Sequence, residues 1–241
     1  MLRDNRIGII GGSGLEKIDF AGKLKPLLIT TPYGSVLVQL GKIAGREVVF
    51  LLRHGQDYRL PSEINYRANI TALKKAGVKS VISSAAVGAI NRKMKPGDFA
   101  VLTDFIDFTH GKRETFTSRS FIDLSQPYDP DLNRTIIKAA KALKLKLHPE
   151  AIYACAEGPR FETKAEIRMY GQVGADVVGM TQVPEVVLAA EAGIPYAAIA
   201  VVTNYAAGVA AGKIDPEHVV KMMRQKNRQL SALLQQVIGD L

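Results

Sequence analysis

The sequence predicts an α/β domain with a central sheet and helices packed on it, and three observations carry that reading. Short apolar, β-branched runs alternate with helix-forming segments along the whole chain. The helical segments carry their own boundary signals, such as Thr163 followed three residues later by Glu166, with Gly174 beyond the end. Polar loops follow one strand after another, and ligands of open α/β sheets sit at strand ends.

In chain order, residues 6–10 read as a buried strand running into Gly11-Gly12-Ser13-Gly14. The glycines let backbone N–H groups close on an anion, and Ser13 adds a hydroxyl. A dinucleotide site would need a helix next and an acidic residue closing the second strand. Residues 28–31 close without an acid and Pro32-Tyr33-Gly34 turns, so a nicotinamide reading is rejected. Residues 36–40 and 47–52 form a hairpin whose second strand ends in Arg53-His54-Gly55. Such a pair can grip phosphate, the guanidinium as a bidentate fork and the imidazole as a further donor. It can equally be a surface ion pair beside a structural histidine.

A helix over 66–76 ends at Gly77, and the strand 79–84 runs into a small-residue loop, Ala85-Ala86-Val87-Gly88-Ala89, that lets backbone approach a ligand. Pro96-Gly97-Asp98 turns into a strand over 99–103, and the polar stretch 109–128 reads as a flap or subunit contact. Asp131 caps a helix reaching residue 143, in which Lys138, Lys141 and Lys144 form a solvated face. The strand 151–155 leads into Gly158-Pro159 and the polar group Arg160, Phe161 and Glu162. After the capped helix, a strand over 175–178 delivers Met180 and Thr181, and a helix runs from Val183-Pro184-Glu185 to 192. The apolar strand 196–203 ends at Asn204, and the last helix runs from Asp215-Pro216 to 238 with proline in its first turn. That makes about seven strands, and residues 1–241 read as one domain without repeats or linkers.

Composition narrows the class. A hydrophobic fraction of 47% over 241 residues supports a substantial core. The net charge of +9 favours anionic ligands. A nucleic-acid binder would interleave clustered Lys and Arg with aromatics, yet aromatic content is 7% and tryptophan is absent. The lone cysteine, Cys155, excludes an internal disulfide and fits a reducing, cytoplasmic setting. No run approaches a membrane span, and the N-terminus lacks a signal-peptide pattern. The four histidines are dispersed, so no metal site is expected; Gly11–Leu15 is not a serine-nucleophile motif, and no P-loop occurs.

The polar residues separate into two groups. Ser13, Arg53, His54, Thr181 and the backbone at Ala86 suit inorganic phosphate. Phe161, Glu162 and Asn204 suit a flat heterocycle, offering a ring to stack on, a carboxylate to accept N–H and an amide that donates and accepts. Met180 is soft and apolar, fit to lie under a sugar.

Together, IGIIGGSGL, RHG, PSEINYRANITALK, AVGAI, PGDF, EGPRFET, GMTQVPEVVLA and VVTN resemble the trimeric purine nucleoside phosphorylase and methylthioadenosine phosphorylase family, in that family's order and across almost the whole chain. The resemblance implies a phosphorylase-type fold, a central mixed and partly barrel-like sheet flanked by helices. It implies cleavage of a purine nucleoside's N-glycosidic bond by phosphate, giving the free base and a pentose 1-phosphate, with no cofactor beyond that co-substrate. Phosphate would be held by Ser13, Arg53, His54, Ala86 and Thr181, the sugar by Met180, and the base by Phe161, Glu162 and Asn204. Phe121 matches a position that reaches into a neighbouring subunit's site, implying a homotrimer.

Two departures bear on the substrate. Methylthioadenosine phosphorylases typically carry Asp and Ser where this chain has Asn204 and Glu162; the residues here match a 6-oxopurine pattern, with Glu162 accepting N1–H and Asn204 donating towards N7 or O6. Ordinary purine nucleoside phosphorylases place a histidine near the start of the last helix, where this chain has Pro216 followed by Val219 and Val220, while His218 lies two residues away. An apolar wall there fits a 5′-methylthio group, as in the methylthioinosine phosphorylase branch. A methylthioadenosine phosphorylase and a non-enzymatic purine-binding module are the alternatives.

Overall fold

The architecture comes from a computed structural model, which describes residues 6–12, 24–111, 115–116 and 121–241. Its strands are β1 (Arg6–Gly11), β2 (Lys25–Thr31), β3 (Gly34–Ile43), β4 (Arg46–Leu52), β5 (Val78–Ala89), β6 (Phe99–Asp107), β7 (Leu147–Cys155), β8 (Val177–Gly179) and β9 (Tyr196–Tyr205). Its helices are α1 (Tyr66–Lys75), α2 (Pro130–Ala142), α3 (Lys164–Gln172), α4 (Gln182–Glu191) and α5 (Pro216–Asp240).

Among the described residues the strands form one mixed sheet in the order β2-β3-β4-β1-β5-β8-β7-β6-β9. β5 also pairs with β9, which closes β5-β8-β7-β6-β9 into a five-stranded barrel. β5 is therefore the hinge between the open sheet and the barrel, pairing parallel to β1 on one side and to β9 on the other. A register shift at Val87/Gly88 bends it where the barrel closes.

The strands carry cores on both faces, as the period-two pattern requires. Along β9, Ala198, Ala200 and Val202 pack with α1 and α4, while Ala197, Ile199 and Val201 pack with α2 and α5. Ile167 and Tyr170 of α3 join Ala154 and Val178 in a third cluster beside the barrel mouth.

The boundary signals operate largely as expected. Thr163 and Glu166 form a complete capping box, Gly174 takes φ +97°, and Asp215 caps α5 ahead of Pro216. α2 is capped by Asp129 rather than Asp131: the Asp129 carboxylate accepts from the N–H groups of Asp131 and Leu132, and Pro130 fills the first helical position, where no N–H is needed. Two further corrections concern the sheet. It has nine strands rather than about seven: residues 25–31 pair with β3 across the Pro32–Tyr33 turn, and the strand expected at 175–178 is present as the short β8. Ala85–Ala89 and Asn204 lie inside β5 and β9, not in loops after them, since the barrel prolongs both strands. The described residues between β6 and α2 contain neither helix nor strand.

Candidate active site

The carboxyl end of β4 delivers the first functional group. The Arg53 N–H bonds to Gly11 O, continuing the β1–β4 pairing. Its guanidinium turns into the core, where only 2% of the residue is exposed. Nε and Nη2 form a fork–fork pair with Glu185 of α4, both at 2.7 Å; Nη2 also donates to Ser83 Oγ, and Nη1 donates to Ser84 O at 2.8 Å. Burial alone would lower the Arg53 pKa, but the Glu185 carboxylate outweighs it and holds the group above arginine's usual range. The fork that the sequence assigned to phosphate thus faces Glu185 instead. Of the five guanidinium hydrogens, one on Nη1 has no acceptor among the described residues. Nη1 lies beside Gly12, where an added Cβ would fall 2.7 Å from it.

His54 is fixed by its own loop. Nδ1 donates to Arg59 O at 2.7 Å, and the ring stacks on Tyr58 at 4.8 Å. A carbonyl can only accept, so Nδ1 carries a proton and any contact with an anion falls to Nε2.

The loop after β7 builds the opposite wall. Arg160 forks onto Glu166 at 2.9 and 2.7 Å while Glu166 also accepts the Thr163 N–H, and these contacts press the Glu166 pKa down to about 2. The strap fixes the stretch carrying Phe161, which is half-exposed, and Glu162, which is buried. Glu162 Oε1 has no hydrogen-bond partner among the described residues. Burial pushes the Glu162 carboxyl above its ordinary range, against the pull of its own backbone N–H. Gly158, at φ +69°, takes a left-handed backbone that glycine adopts freely, and a Cβ there would sit 2.7 Å from Met180 Sδ and displace it.

β8 ends at Met180 and Thr181. Thr181 stands at the start of α4, yet its side chain makes no capping bond. On β9, Asn204 donates from Nδ2 to Tyr205 O at 2.9 Å and accepts at Oδ1 from the Thr203 hydroxyl, which fixes its amide plane. Gly88 lies against it: a Cβ there would come 3.3 Å from Asn204 Nδ2.

These elements enclose a cavity of about 360 Å³, within the range of small-molecule sites. Arg53, His54, Ala86, Phe161, Glu162, Met180, Thr181, Asn204 and Val219 all line it. Ile214, Pro216 and Val220 extend the apolar wall at the start of α5, whereas exposed His218 lines a neighbouring hollow. Ser13 lies outside the described residues. Phe121 is fully exposed and is not part of the cavity wall.

The sequence reading missed Ser83, Ser84, Gln182, Glu185 and Tyr196, which join Arg53 in one buried network. Ser83 and Tyr196 both donate to Glu185, and Gln182 donates to Ser83. The available signal was Gln182 and Glu185 inside the otherwise apolar run of α4. No group of three or more His, Cys, Asp or Glu side chains among the described residues could hold a metal ion.

The geometry has counterparts among known proteins. A family model described as the phosphorylase superfamily matches residues 6–239. The 6-oxopurine nucleoside phosphorylase of Pyrococcus furiosus is 45% identical over 95% of this chain and 90% of its own length. The S-methyl-5′-thioadenosine phosphorylase of the same organism is 43% identical over 98% and 93%. A solved structure of methylthioadenosine phosphorylase from Schistosoma mansoni in complex with adenine is 30% identical and superposes with a TM-score of 0.92, covering 97% of this chain and 90% of that one. Sequence, barrel and cavity agree that the chain belongs to the phosphorylase superfamily.

Proposed function

We propose that this chain is a purine nucleoside phosphorylase acting on 6-oxopurine nucleosides, with inorganic phosphate as co-substrate and no other cofactor. The carrying observation is the buried, partnerless carboxylate oxygen of Glu162 in a cavity shared with Arg53, His54 and Thr181. A buried carboxylate oxygen without a donor is costly, and a ligand N–H at that point offsets the cost. A 6-oxopurine presents N1–H; a 6-aminopurine presents a lone pair there. Both kinds of relative are almost equally similar to this chain. Glu162 and Asn204, rather than overall identity, favour the 6-oxo base.

Phosphate is assigned to Nη1 of Arg53, His54 Nε2, the Thr181 hydroxyl, the backbone at Ala86, and Ser13. Met180, which also lines the cavity, takes the sugar, with Phe161 against the base. A phosphate oxygen forms the bond to C1′ as the glycosidic C–N bond breaks, and that electron pair passes to the purine. Negative phosphate beneath the ring stabilises the oxocarbenium-like sugar, and Asn204 donates to the charge gathering on the base. The wall of Ile214, Pro216, Val219 and Val220 favours a 5′-methylthio substituent over a hydroxyl, so 5′-methylthioinosine fits better than inosine.

The test is a phosphate-dependent assay across adenosine, inosine, guanosine and their 5′-methylthio forms. Faster turnover of the 6-oxo members supports the reading. Preference for 6-amino members turns it into a methylthioadenosine phosphorylase, and binding without phosphate-dependent cleavage into a purine-binding module.

We further assign the active form as a cytoplasmic homotrimer serving purine salvage. Full exposure of a phenylalanine, Phe121, supports a neighbouring subunit's site as its destination. Phe121→Ala should leave a trimer by light scattering while raising the nucleoside KM; an unchanged KM removes the shared site.

A further inference from the structure

Resting on the phosphate reading of Arg53, we propose that Glu185 is a positioning residue for phosphate: it fixes the guanidinium so that one Nη1–H is aimed at the anion. The sequence of contacts leaves little freedom. Glu185 takes the Nε–Nη2 edge of Arg53, Ser83 Oγ takes the second Nη2 hydrogen, and Ser84 O takes one Nη1 hydrogen. Gly12 backs Nη1 so closely that a side chain there would displace it, and both Gly12 and Arg53 line the cavity. Glu185 is itself fixed, accepting from Ser83 Oγ at 3.2 Å and from the Tyr196 hydroxyl. Both partners of the pair are essentially without solvent contact, with side-chain exposures of 1% and 0%.

Stability alone does not account for the pair. A buried ion pair is often no more stabilising than apolar side chains of similar volume, so its presence calls for another role. The arrangement supplies one. A lone arginine at a cavity edge can turn its long side chain through many rotamers; this one is held by contacts on three sides before any ligand arrives. Preorganised donors lose no reorganisation energy when charge develops, and a misplacement of ~1 Å can cost ~10²-fold.

The test keeps the charge and moves the group. Glu185→Asp retains the carboxylate but withdraws it by about one bond length, ~1.5 Å, so the guanidinium must follow or lose the fork. The measurement is steady-state kinetics on the full chain, varying inorganic phosphate at saturating inosine and then the reverse, with thermal melting to confirm folding. The KM for phosphate should rise about tenfold or more while the KM for inosine stays within about twofold. Ser83→Ala, which removes a smaller part of the same clamp, should raise the phosphate KM about threefold and serves if Glu185→Asp does not fold. Unchanged phosphate KM in these variants, a fall in it, or equal rises in both KM values would overturn the positioning role. Arg53→Lys separates this from the underlying reading. If Arg53→Lys leaves the phosphate KM unchanged, the assignment of Arg53 to phosphate fails and the role of Glu185 with it. If it raises that KM while Glu185→Asp and Ser83→Ala do not, only the positioning role is lost.

Discussion

The two buried charged groups that line the cavity, Arg53 and Glu162, solve opposite problems. At Arg53, where we propose the anion binds, a full positive charge is buried, and four of its five N–H groups are satisfied internally by Glu185, Ser83 and Ser84. At Glu162, where we propose the base binds, a carboxylate is buried, and Oε1 is satisfied by nothing among the described residues. Both glutamates are buried, Glu185 at 0% and Glu162 at 7% exposure, so burial does not distinguish them. Partnership does. The Arg53 network is finished by folding and belongs to the core, whereas Glu162 Oε1 is left for a ligand to complete. A rigid end suits a co-substrate common to every turnover, and an open hydrogen-bonding requirement suits the choice among bases, because an analogue lacking the donor leaves the oxygen unpaired.

The largest expected effect breaks the comparison at the level of stability. Glu185→Ala strands the Arg53 charge in the core and should cost about 3–5 kcal/mol. Glu162→Ala removes a buried carboxylate whose Oε1 lacks a partner among the described residues, and should leave stability within about 0.5 kcal/mol or raise it slightly. Urea unfolding of the two variants measures the difference directly. Equal losses would mean that Glu162 is as much a part of the folded network as Glu185.

The second effect uses pH. The folded-state pKa of Glu162 is raised, chiefly by burial, above its unfolded value. Its contribution therefore favours folding while the carboxyl is protonated, below the unfolded value, and is lost as pH rises through the folded pKa. The proposed base recognition runs the other way, since the ionised carboxylate is the stronger acceptor for N1–H. The KM for inosine should rise about tenfold per pH unit below the raised pKa. Glu162→Gln should flatten that limb. Arg53 stays charged throughout, so comparison with Glu162→Gln tells a limb from Glu162 apart from one arising beside Arg53, where His54 also lines the cavity. Persistence of the limb in Glu162→Gln would assign it elsewhere.

What the sequence revealed and concealed follows the same division. Local signals were readable: the Thr163–Glu166 capping box and the Asp215-Pro216 start of α5 depend on residues within a turn of one another. Residues at strand ends were readable as a group, because strand ends converge on one side of a sheet. The partner of Arg53 was not, since Glu185 lies 132 residues away and nothing local announces the pairing. Barrel closure was concealed for a related reason. Ala85, Ala86 and Gly88 are weak strand formers, and their small size suits a loop as well as a crowded strand. The packing of Asn204, Val178 and Ala206 around Gly88 shows why that position of β5 is small.

The smallest effect tests the remaining wall, where neither charge nor hydrogen bonding decides. Val219 and Val220, one turn into α5, are partly buried and line the cavity beside Ile214 and Pro216. Val219→Thr keeps the shape and replaces one methyl with a hydroxyl, so it changes polarity with little change in packing volume. An apolar pocket rejects a hydroxyl only weakly, by about 1–3 kcal/mol at most, and a β-branched hydroxyl on a helix can bond back to a carbonyl one turn earlier. The ratio of kcat/KM for 5′-methylthioinosine over inosine should therefore fall only about three- to tenfold, with the phosphate KM unchanged. An unaltered ratio would place the 5′ substituent away from α5. A shift in phosphate KM instead would mean that this wall communicates with the anion end, and that the two ends are less independent than their separate hydrogen-bond networks imply.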